Sequence, residues 1–301
     1  MATWMRLLAV VITIAGLPPA WAGNAPVTIY FGNPDFPRQL EHADASRDAL
    51  INTYRMLTDR LEAPFRFVHA PFKRTLRYLD DEQTPACNYY ALETAARAQK
   101  YRFSLPLTFL LTPRLYVRGN PGIASGQLNE GGELTSLANF VSGRTEEPLL
   151  LMDDISYGDE LDNIIAGLPA NRVIWRSSAN RYNKLSGMFF RGRISATLIY
   201  PQEVALYLHN YPDAAVPYQS YAVAGAPSTT TGKLMCNSHP TALRFLREVN
   251  RVMVALYDSP EYRAAHRLTV PAPELPVLEK AMEQARQLAA GHALQQQNVS
   301  G

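Results

Sequence analysis

Three cationic side chains lie within six residues in the first half of the sequence, at Arg97, Lys100 and Arg102. The segment that follows, FSLPLTFLL (residues 103–111), has no charged residue. A cationic cluster of this kind can bind an anionic ligand through charge-assisted hydrogen bonds. It is equally typical of the exposed end of a helix that leads into a buried strand. The cluster alone does not decide between a ligand-binding group and a solvated helix end.

Sequence motifs of common catalytic and cofactor sites are absent. The chain contains no G-x-S-x-G, H-E-x-x-H, C-x-x-C or G-x-G-x-x-G pattern. The segment GAPSTTTGKL is similar to a phosphate-binding loop, but six residues instead of four separate Gly225 from Gly232, and Leu234 replaces the required Ser or Thr. The six histidines are isolated along the sequence, so neither a metal site nor a cofactor is predicted.

An acidic cluster, DDISYGDELD, lies at residues 153–162. Acidic residues near a helix start are favoured by the helix dipole, so the cluster does not by itself identify an acid–base pair. An enzyme is not expected, because no residue stands out as a catalytic acid or base.

Residues 1–22 have the layout of a secretory signal peptide. Arg6 precedes an apolar run from Leu7 to Leu17, and the segment ends in Ala20-Trp21-Ala22. The apolar run is shorter than the roughly 20 residues that a membrane-spanning helix needs. We therefore expect cleavage near Ala22 and a periplasmic location. No cysteine lies near that point, so a lipid anchor is not expected.

Removal of these 22 residues from the 301-residue chain leaves 279, enough for two domains. The formal net charge of +2 creates no strong attraction to nucleic acid, and no nucleic-acid partner is expected. The two cysteines, Cys87 and Cys236, can form a disulfide in an oxidising compartment. Two unpaired buried thiols are also consistent with the sequence.

The order of predicted elements indicates an α/β fold. Strand, helix, strand, helix and strand alternate over residues 26–92, which is typical of parallel βαβ units. A Gly- and Asn-rich segment at 118–133 marks a boundary, after which the alternation begins again. A second break at 224–233 precedes one strand and long helical segments. The economical arrangement is two lobes with a cleft between them, in which the C-terminal segment completes the first lobe.

Three segments resemble the family 3 periplasmic solute-binding proteins, which have the type II two-lobed fold. The first contains the family's T-x-x-R turn and F-S-x-P, here Thr94, Arg97 and residues 103–106. In the second segment, a short helix and a strand precede the helix entry Ser156-Tyr157-Gly158. The third segment, MFFRGRISATLIY, resembles the family's G-R-x-D-A strand entry. The resemblance covers roughly residues 27–260 and is that of a divergent member.

The resemblance implies the division of the chain. The first lobe would comprise residues 25–115 and 222–290, the second lobe 116–221, and the tail 291–301. In that topology the strand returning to the first lobe lies beside its third strand. This would bring Cys236 next to Cys87, within reach of a disulfide.

The resemblance also implies a ligand site. The family's Arg in the T-x-x-R turn binds a ligand carboxylate, and this role carries over to Arg97, whose planar guanidinium can donate two parallel hydrogen bonds. Lys100 and Arg102 would then be solvated. The entry formed by Ser156, Tyr157 and Gly158 would offer backbone N–H groups to an anionic or polar ligand group.

Aromatic residues are expected at the same cleft. Tyr30 and Phe31 lie at the carboxyl end of the first strand, where ligands bind in open α/β sheets. Tyr89 and Tyr90 are further candidates, of which only one can face the cleft if the strand alternates.

One departure from the family affects the ligand class. In amino-acid binders of this family, an Asp near the end of the strand that follows G-R-x-D-A binds the ligand ammonium. In this sequence that position is Tyr200. The Asp of G-R-x-D-A itself is also replaced, by Ser195. An ordinary α-amino acid would lack its counter-ion. An acid without the amine, or an aromatic or sugar-like compound that stacks on tyrosine, fits as well.

The resemblance implies an exported, monomeric protein that captures a small polar, carboxylate-bearing solute for the membrane components of an ABC transporter. The same module can serve as the soluble input of a signalling system, with a membrane sensor as partner. A third class is an enzyme on this scaffold, such as a dehydratase of small cyclic acids.

Overall fold

A computed structural model gives the structure of the chain. It describes residues 25–42, 46–120, 123, 125–144, 147–153, 155–176 and 184–299, with only the backbone of residues 125, 184 and 292–299. The predicted signal peptide, residues 1–22, lies outside the described residues.

The described part of the chain is a mixed α/β structure with two sheets. Its strands are β1 (Val27–Phe31), β2 (Phe65–His69), β3 (Ala86–Ala91), β4 (Arg102–Phe103), β5 (Thr108–Leu111), β6 (Arg114–Arg118), β7 (Leu149–Met152), β8 (Val173–Arg176), β9 (Ala196–Ile199), β10 (Tyr218–Tyr221) and β11 (Thr229–Cys236). Its α-helices are α1 (Phe36–Glu41), α2 (Ala49–Thr58), α3 (Phe72–Asp80), α4 (Ala95–Lys100), α5 (Leu137–Gly143), α6 (Asp159–Ala166), α7 (Lys184–Phe190), α8 (Pro201–Asn210), α9 (Pro240–Tyr257), α10 (Pro260–Arg267) and α11 (Leu275–Val299).

The first sheet has the strand order β2-β1-β3-β11-β4, and β5 also pairs with β11. Strands β1, β2 and β3 are parallel, as the βαβ alternation of the sequence predicts, whereas β11 runs antiparallel to β3, β4 and β5. The sequence of β1, VTIYF, is apolar and aromatic because helices cover both faces of the strand. We call this sheet with helices α1–α4 and α9–α11 the first lobe.

The second sheet has the strand order β10-β6-β9-β7-β8. All four residues of β7 and of β9 are buried, and separate clusters of apolar side chains pack on the two faces of this sheet. We call this sheet with helices α5–α8 the second lobe.

The chain crosses between the lobes twice, from β5 to β6 and from β10 to β11. The first crossing spans only Thr112 and Pro113, since β5 ends at Leu111 and β6 begins at Arg114. The guanidinium of Arg114 forms an ion pair with the Glu274 carboxylate of the first lobe, at 2.9 Å. Short crossings of this kind restrict the lobes to rotation about a common hinge.

One element boundary differs from the sequence-based expectation. The segment at 224–233, predicted as a break, contributes its second half to β11, because the threonines at 229–231 are β-branched and suit a strand.

The third strand and the returning strand are joined covalently. Cys87 of β3 and Cys236 of β11 face each other in the register and form a disulfide, with a sequence separation of 149. Both side chains are fully buried in the core of the first lobe. The predicted disulfide is thereby confirmed.

Among the helices in the part of the chain that the structure describes, none combines the length and the apolar character needed to cross a lipid bilayer.

We expect the double substitution Cys87→Ala with Cys236→Ala to lower the free energy of unfolding by about 3 to 5 kcal/mol, because the closed loop is long and the crosslink restricts the unfolded chain. Urea unfolding followed by circular dichroism, with and without a reducing agent, measures the effect. Wild-type protein should lose stability in the reducing agent, whereas the double variant should not respond to it. Equal stability of wild type and variant under oxidising conditions would contradict this prediction.

Candidate functional site

A cavity of about 170 Å³ lies between the two lobes. Its first-lobe wall includes the carboxyl end of β3, the turn into α4, strand β5 and the residues around the end of α10. Its second-lobe wall includes the segment from β7 to α6 and the first turns of α8. Ligands of open α/β sheets bind at such carboxyl ends, so this cavity is the candidate site.

Arg97 lies on the first-lobe wall of the cavity. The Thr94 hydroxyl caps α4 by accepting from the Arg97 backbone N–H at 3.3 Å. The Arg97 guanidinium donates from Nη1 to the Leu92 carbonyl oxygen at 2.9 Å and lies over the Phe72 ring, 5.4 Å from its centroid. These contacts hold the half-buried side chain in one orientation on the cavity wall.

The other two cations of the cluster do not line the cavity. The Lys100 side chain is 69% exposed, with Nζ 4.0 Å from the Asp80 carboxylate. Arg102 is exposed and donates from Nη1 to the Tyr101 carbonyl oxygen. The cluster therefore divides into one residue at the cavity and two at the outer surface.

The helix entry at the second-lobe wall differs in part from the prediction. Ser156 and Tyr157 line the cavity, whereas Gly158 does not. The Tyr157 N–H donates to the Asp162 carboxylate at 2.8 Å, and the Gly158 N–H donates to Ser156 Oγ at 3.1 Å. The structure therefore corrects the expectation that these two N–H groups bind a ligand, because both donate to side chains of the protein. A carboxylate of the helix itself occupies its positive end, as the helix dipole favours.

The aromatic candidates of the first lobe are placed on different sides of the sheet. Tyr90 lines the cavity at the carboxyl end of β3, whereas Tyr89 is buried in the core. Phe31 packs in the same core, with its ring centroid 5.3 Å from that of Phe36. Tyr30 stacks on Tyr78 of α3 at 4.6 Å.

The expectation that Tyr30 and Phe31 face the cleft is therefore corrected. Alternate residues of a strand point to opposite faces of its sheet, and helices cover both faces at β1. Of the two candidates on β3, Tyr89 and Tyr90, it is Tyr90 that faces the cavity.

Close packing holds Tyr90 against the returning strand. A Cβ atom built on Gly232 of β11 would lie 1.9 Å from Tyr90 Cε2 and 2.7 Å from Thr108 Oγ1. Glycine is therefore required at position 232 for both side chains to occupy their places on the cavity wall. A glycine within a strand often marks such a close approach.

The second lobe contributes a carboxylate that sequence analysis missed. Tyr200 lines the cavity and precedes α8 as its N-cap residue. Gln202 and Glu203, in the first turn of the same helix, also line the cavity. Glu203 Oε1 accepts a hydrogen bond from Ser186 Oγ at 3.1 Å. The acidic Glu203 thus lies three residues after Tyr200, which stands at the position of the Asp in the amino-acid binders.

A second missed residue, His266 of α10, is fully buried beside the cavity. Its Nδ1 lies 2.9 Å from the Tyr262 carbonyl oxygen, which can only accept, so Nδ1 carries the proton. Burial lowers the pKa of His266 to about 4, and the ring is neutral at pH 7. The sequence signal was weak, because a single histidine in an amphipathic helix is more often exposed than buried at a site.

The lobes contact each other around the cavity. Lys73 of α3 forms an ion pair with Asp153 at 3.3 Å, and the Asp159 carboxylate of α6 accepts from the Ala95 N–H of α4 at 3.0 Å. Near the hinge, Gln202 Oε1 accepts from the Leu111 N–H at 3.3 Å. These contacts join the two lobes at the rim of the cavity and near the hinge.

Within the described ranges, no three Asp, Glu, His or Cys side chains come together as metal ligands would.

Comparison with solved structures defines the fold as that of the two-lobed type II periplasmic binding proteins. An ancestral arginine-binding protein bound to glutamine matches with a TM-score of 0.55 and 13% sequence identity, covering 82% of this chain and 98% of that chain. A putative L-cystine ABC transporter from Listeria monocytogenes matches with a TM-score of 0.55 and 14% identity, covering 82% and 97%.

An amino acid ABC transporter substrate-binding protein from Streptococcus pneumoniae bound to L-arginine has a TM-score of 0.53 and 11% identity, covering 82% of this chain and 96% of that chain. No family model matches the sequence, and no curated protein matches it. At such low identities the likeness establishes the fold.

We expect Gly232→Ala to push the Tyr90 ring into the cavity, since the added methyl group would overlap it, and to cost about 1 to 3 kcal/mol of stability. Urea unfolding measures the stability, and a crystal structure of the variant locates the ring. Gly126→Ala is the control, because no atom lies within 4 Å of a Cβ at that position. An unchanged Tyr90 position with wild-type stability would contradict the prediction.

We expect stability to fall as the pH decreases from about 6.5 to 4. His266 has a depressed pKa of about 4 in the folded state against 6.5 in the unfolded chain, so the unfolded state binds its proton first. The stability is fully present above pH 6.5, and this residue should account for a loss of about 2 to 3 kcal/mol by pH 4.5.

His266→Asn, which keeps an N–H near the Tyr262 carbonyl but does not titrate, should flatten the profile of unfolding free energy between pH 7.5 and 4.5. The exposed His209→Asn is the control and should leave it unchanged. Equal slopes for wild type and His266→Asn would show that His266 does not cause the acid sensitivity.

Proposed function

We propose that this protein is an exported solute-binding protein that captures a small carboxylate-bearing solute between its lobes and delivers it to the membrane components of an ABC transporter. The observation that carries the proposal is the position of Arg97 on the wall of the inter-lobe cavity, with its orientation fixed by the Leu92 carbonyl and the Phe72 ring. The predicted signal peptide and the substrate-binding proteins that share the fold support the same role.

Arg97 is the proposed carboxylate partner. A guanidinium presents its N–H donors in a planar fork that matches the two oxygens of a carboxylate. In a cavity closed from bulk water this charge-assisted pairing is stronger than at the surface. A solute held by Arg97 on one lobe could also contact the opposite lobe, so binding and closure of the lobes would favour each other.

Glu203 is the proposed partner for a cationic group of the solute. It lies on the opposite lobe from Arg97, and the Ser186 hydroxyl orients its carboxylate. A solute with both an acid and an amine would therefore contact both lobes, in spite of the tyrosine at position 200. Tyr90, Tyr157 and Tyr200 would supply the apolar and aromatic contacts around it.

We expect Arg97→Ala to abolish ligand-dependent stabilisation while folding stays near normal, because the side chain is only half-buried and its loss leaves α4 capped. Thermal unfolding in a panel of amino acids and small carboxylic acids measures this effect. A ligand at 100 times its Kd stabilises the folded state by about 2.7 kcal/mol, a shift of several degrees in Tm.

Lys100→Ala is the matched control, since Lys100 belongs to the same helix but not to the cavity. It should keep the full Tm shift, and Arg97→Lys should keep part of it because the charge remains and the planar fork is lost. A wild-type shift in Arg97→Ala would contradict the carboxylate assignment. Conversion of the bound compound into a product would contradict the binding role itself.

A further inference from the structure

Three arginines of the second lobe lie close together in the fold, away from the inter-lobe cavity. Arg118 is the last residue of β6, and Arg191 and Arg193 follow the end of α7. None of the three lines the cavity. Arg118 is four residues beyond Arg114 along the strand, so it lies roughly 13 Å from the hinge end of β6. We call these three residues the arginine cluster.

The guanidinium of Arg118 lies against the backbone of Gly192, the residue between the other two arginines. A Cβ atom built on Gly192 would overlap Arg118 Nη1 and would lie 3.2 Å from its Cζ. Glycine at this position therefore allows the guanidinium to pack there. Consecutive Cα atoms are about 3.8 Å apart, so Arg191 and Arg193 start one residue away from this contact.

The turn that carries Arg191 and Arg193 ends helix α7 in a defined way. Gly192 has a φ of +75°, and its N–H donates to the Phe189 carbonyl oxygen at 3.1 Å. The Arg193 N–H donates to the Met188 carbonyl oxygen at 2.9 Å. These two bonds are the Schellman pattern of a helix C-terminus. The backbone against which Arg118 packs is therefore fixed by hydrogen bonds.

The charges of the arginine cluster are not compensated by carboxylates. In the part of the chain that the structure describes, none of its three residues forms an ion pair, whereas Arg114 at the other end of β6 is paired with Glu274. Arg118 Nε is buried without a hydrogen-bond partner, but Nη1 and Nη2 are not enclosed in this way. The two terminal nitrogens are the atoms that a ligand could reach.

The end of α7 accounts for part of this positive charge. A helix C-terminus carries about half an elementary negative charge, so it favours cations beside it. Three guanidinium groups exceed that charge severalfold. Like charges at short range repel each other, and a bound anion would offset this repulsion.

We propose that the arginine cluster binds a phosphate group, at a site separate from the inter-lobe cavity. A phosphate dianion has more charge and more acceptor oxygens than a carboxylate, so it can pair with several guanidinium groups at once. Arg118 would supply the fixed donors. Arg191 and Arg193, whose side chains are exposed, would complete the site from the positions on either side of Gly192. This site goes beyond the proposed solute-binding role and does not depend on it.

Inorganic phosphate is the probe, measured by isothermal titration calorimetry in a chloride buffer of constant ionic strength. We expect saturable binding, about tenfold weaker binding of acetate, and a rise in Tm of about 2 to 4 °C at ten times the Kd. Arg118→Gln and Arg193→Gln should each weaken phosphate binding about fivefold or more. Arg176→Gln is the matched control, because Arg176 is an exposed arginine of β8, at the far edge of the same sheet. It should leave the affinity unchanged, and an equal loss in all three variants would overturn the proposal.

Gly192→Ala tests the geometry of the site. The added methyl group should displace the Arg118 guanidinium and weaken phosphate binding about fivefold or more. Gly132→Ala is the matched control, since Gly132 has the same φ of +75° but no atom lies within 4 Å of a Cβ there. It shares the backbone strain and leaves the arginine cluster intact. Equal phosphate affinities in these two alanine variants would overturn the proposal.

The phosphate group can belong to a soluble ion or to a lipid headgroup, and co-sedimentation with vesicles separates the two sources. Sedimentation with phosphatidylglycerol vesicles but not with phosphatidylcholine vesicles, lost in Arg193→Gln, identifies a lipid. Phosphate binding with no preference between the vesicles identifies a soluble phosphate.

Absence of both phosphate binding and phosphatidylglycerol-dependent sedimentation would overturn the proposal. So would phosphate binding that is lost in Arg97→Ala and retained in Arg193→Gln, because the anion would then occupy the inter-lobe cavity. Loss of phosphate binding in Arg193→Gln with full binding of the transported solute supports two separate sites.

Discussion

The antiparallel pairing of β11 with β3, β4 and β5 is the interaction on which the rest of the structure depends. The strand enters the first sheet after more than 100 residues of the second lobe and pairs with elements that precede that lobe. It forms the disulfide of Cys236 with Cys87, and its Gly232 leaves room for Tyr90 and Thr108 on the cavity wall. The pairing thus fixes both the hinge crossings and one side of the site, because the sheet and the cavity share these residues.

The cavity is electrostatically divided. Arg97 of the first lobe and Glu203 of the second lobe carry opposite charges, whereas Thr108, Gln202 and His266 carry none. A charged group costs much more to desolvate than a neutral one, so the charged and the neutral parts of the wall favour different chemical groups. Burial of His266 contributes to this division, since a histidine with its ordinary pKa would be partly cationic at slightly acid pH.

The fold and one part of the site could be predicted from the sequence, because they depend on local signals. The order of three short motifs predicted the two lobes, and the T-x-x-R turn placed Arg97 at a helix start that its own Thr94 caps. The orientation of Tyr30 and Phe31 could not be predicted. In a strand buried on both faces, alternation leaves no polarity signal that identifies the cleft side.

Glu203 and His266 were missed for a different reason. Pro201 indicates that a helix starts after Tyr200. Which residues surround the first turn of that helix, and therefore Glu203, depends on the packing of α8 on β5 and α7. His266 reaches the cavity because α10 packs on α2, which is distant in sequence. Positions of this kind depend on tertiary contacts and have no local sequence pattern.

The proposed anion-binding group of this site is a side chain rather than a helix terminus for a physical reason. Two of the helix starts near the cavity are occupied by carboxylates of the second lobe, since Asp159 accepts from the Ala95 N–H of α4 and Asp162 accepts from the Tyr157 N–H. Each carboxylate offsets the positive end of a helix dipole and repels a further anion. A ligand carboxylate would therefore be drawn to the guanidinium of Arg97, and the Asp159 contact, which spans the lobes, would stabilise the closed arrangement around it.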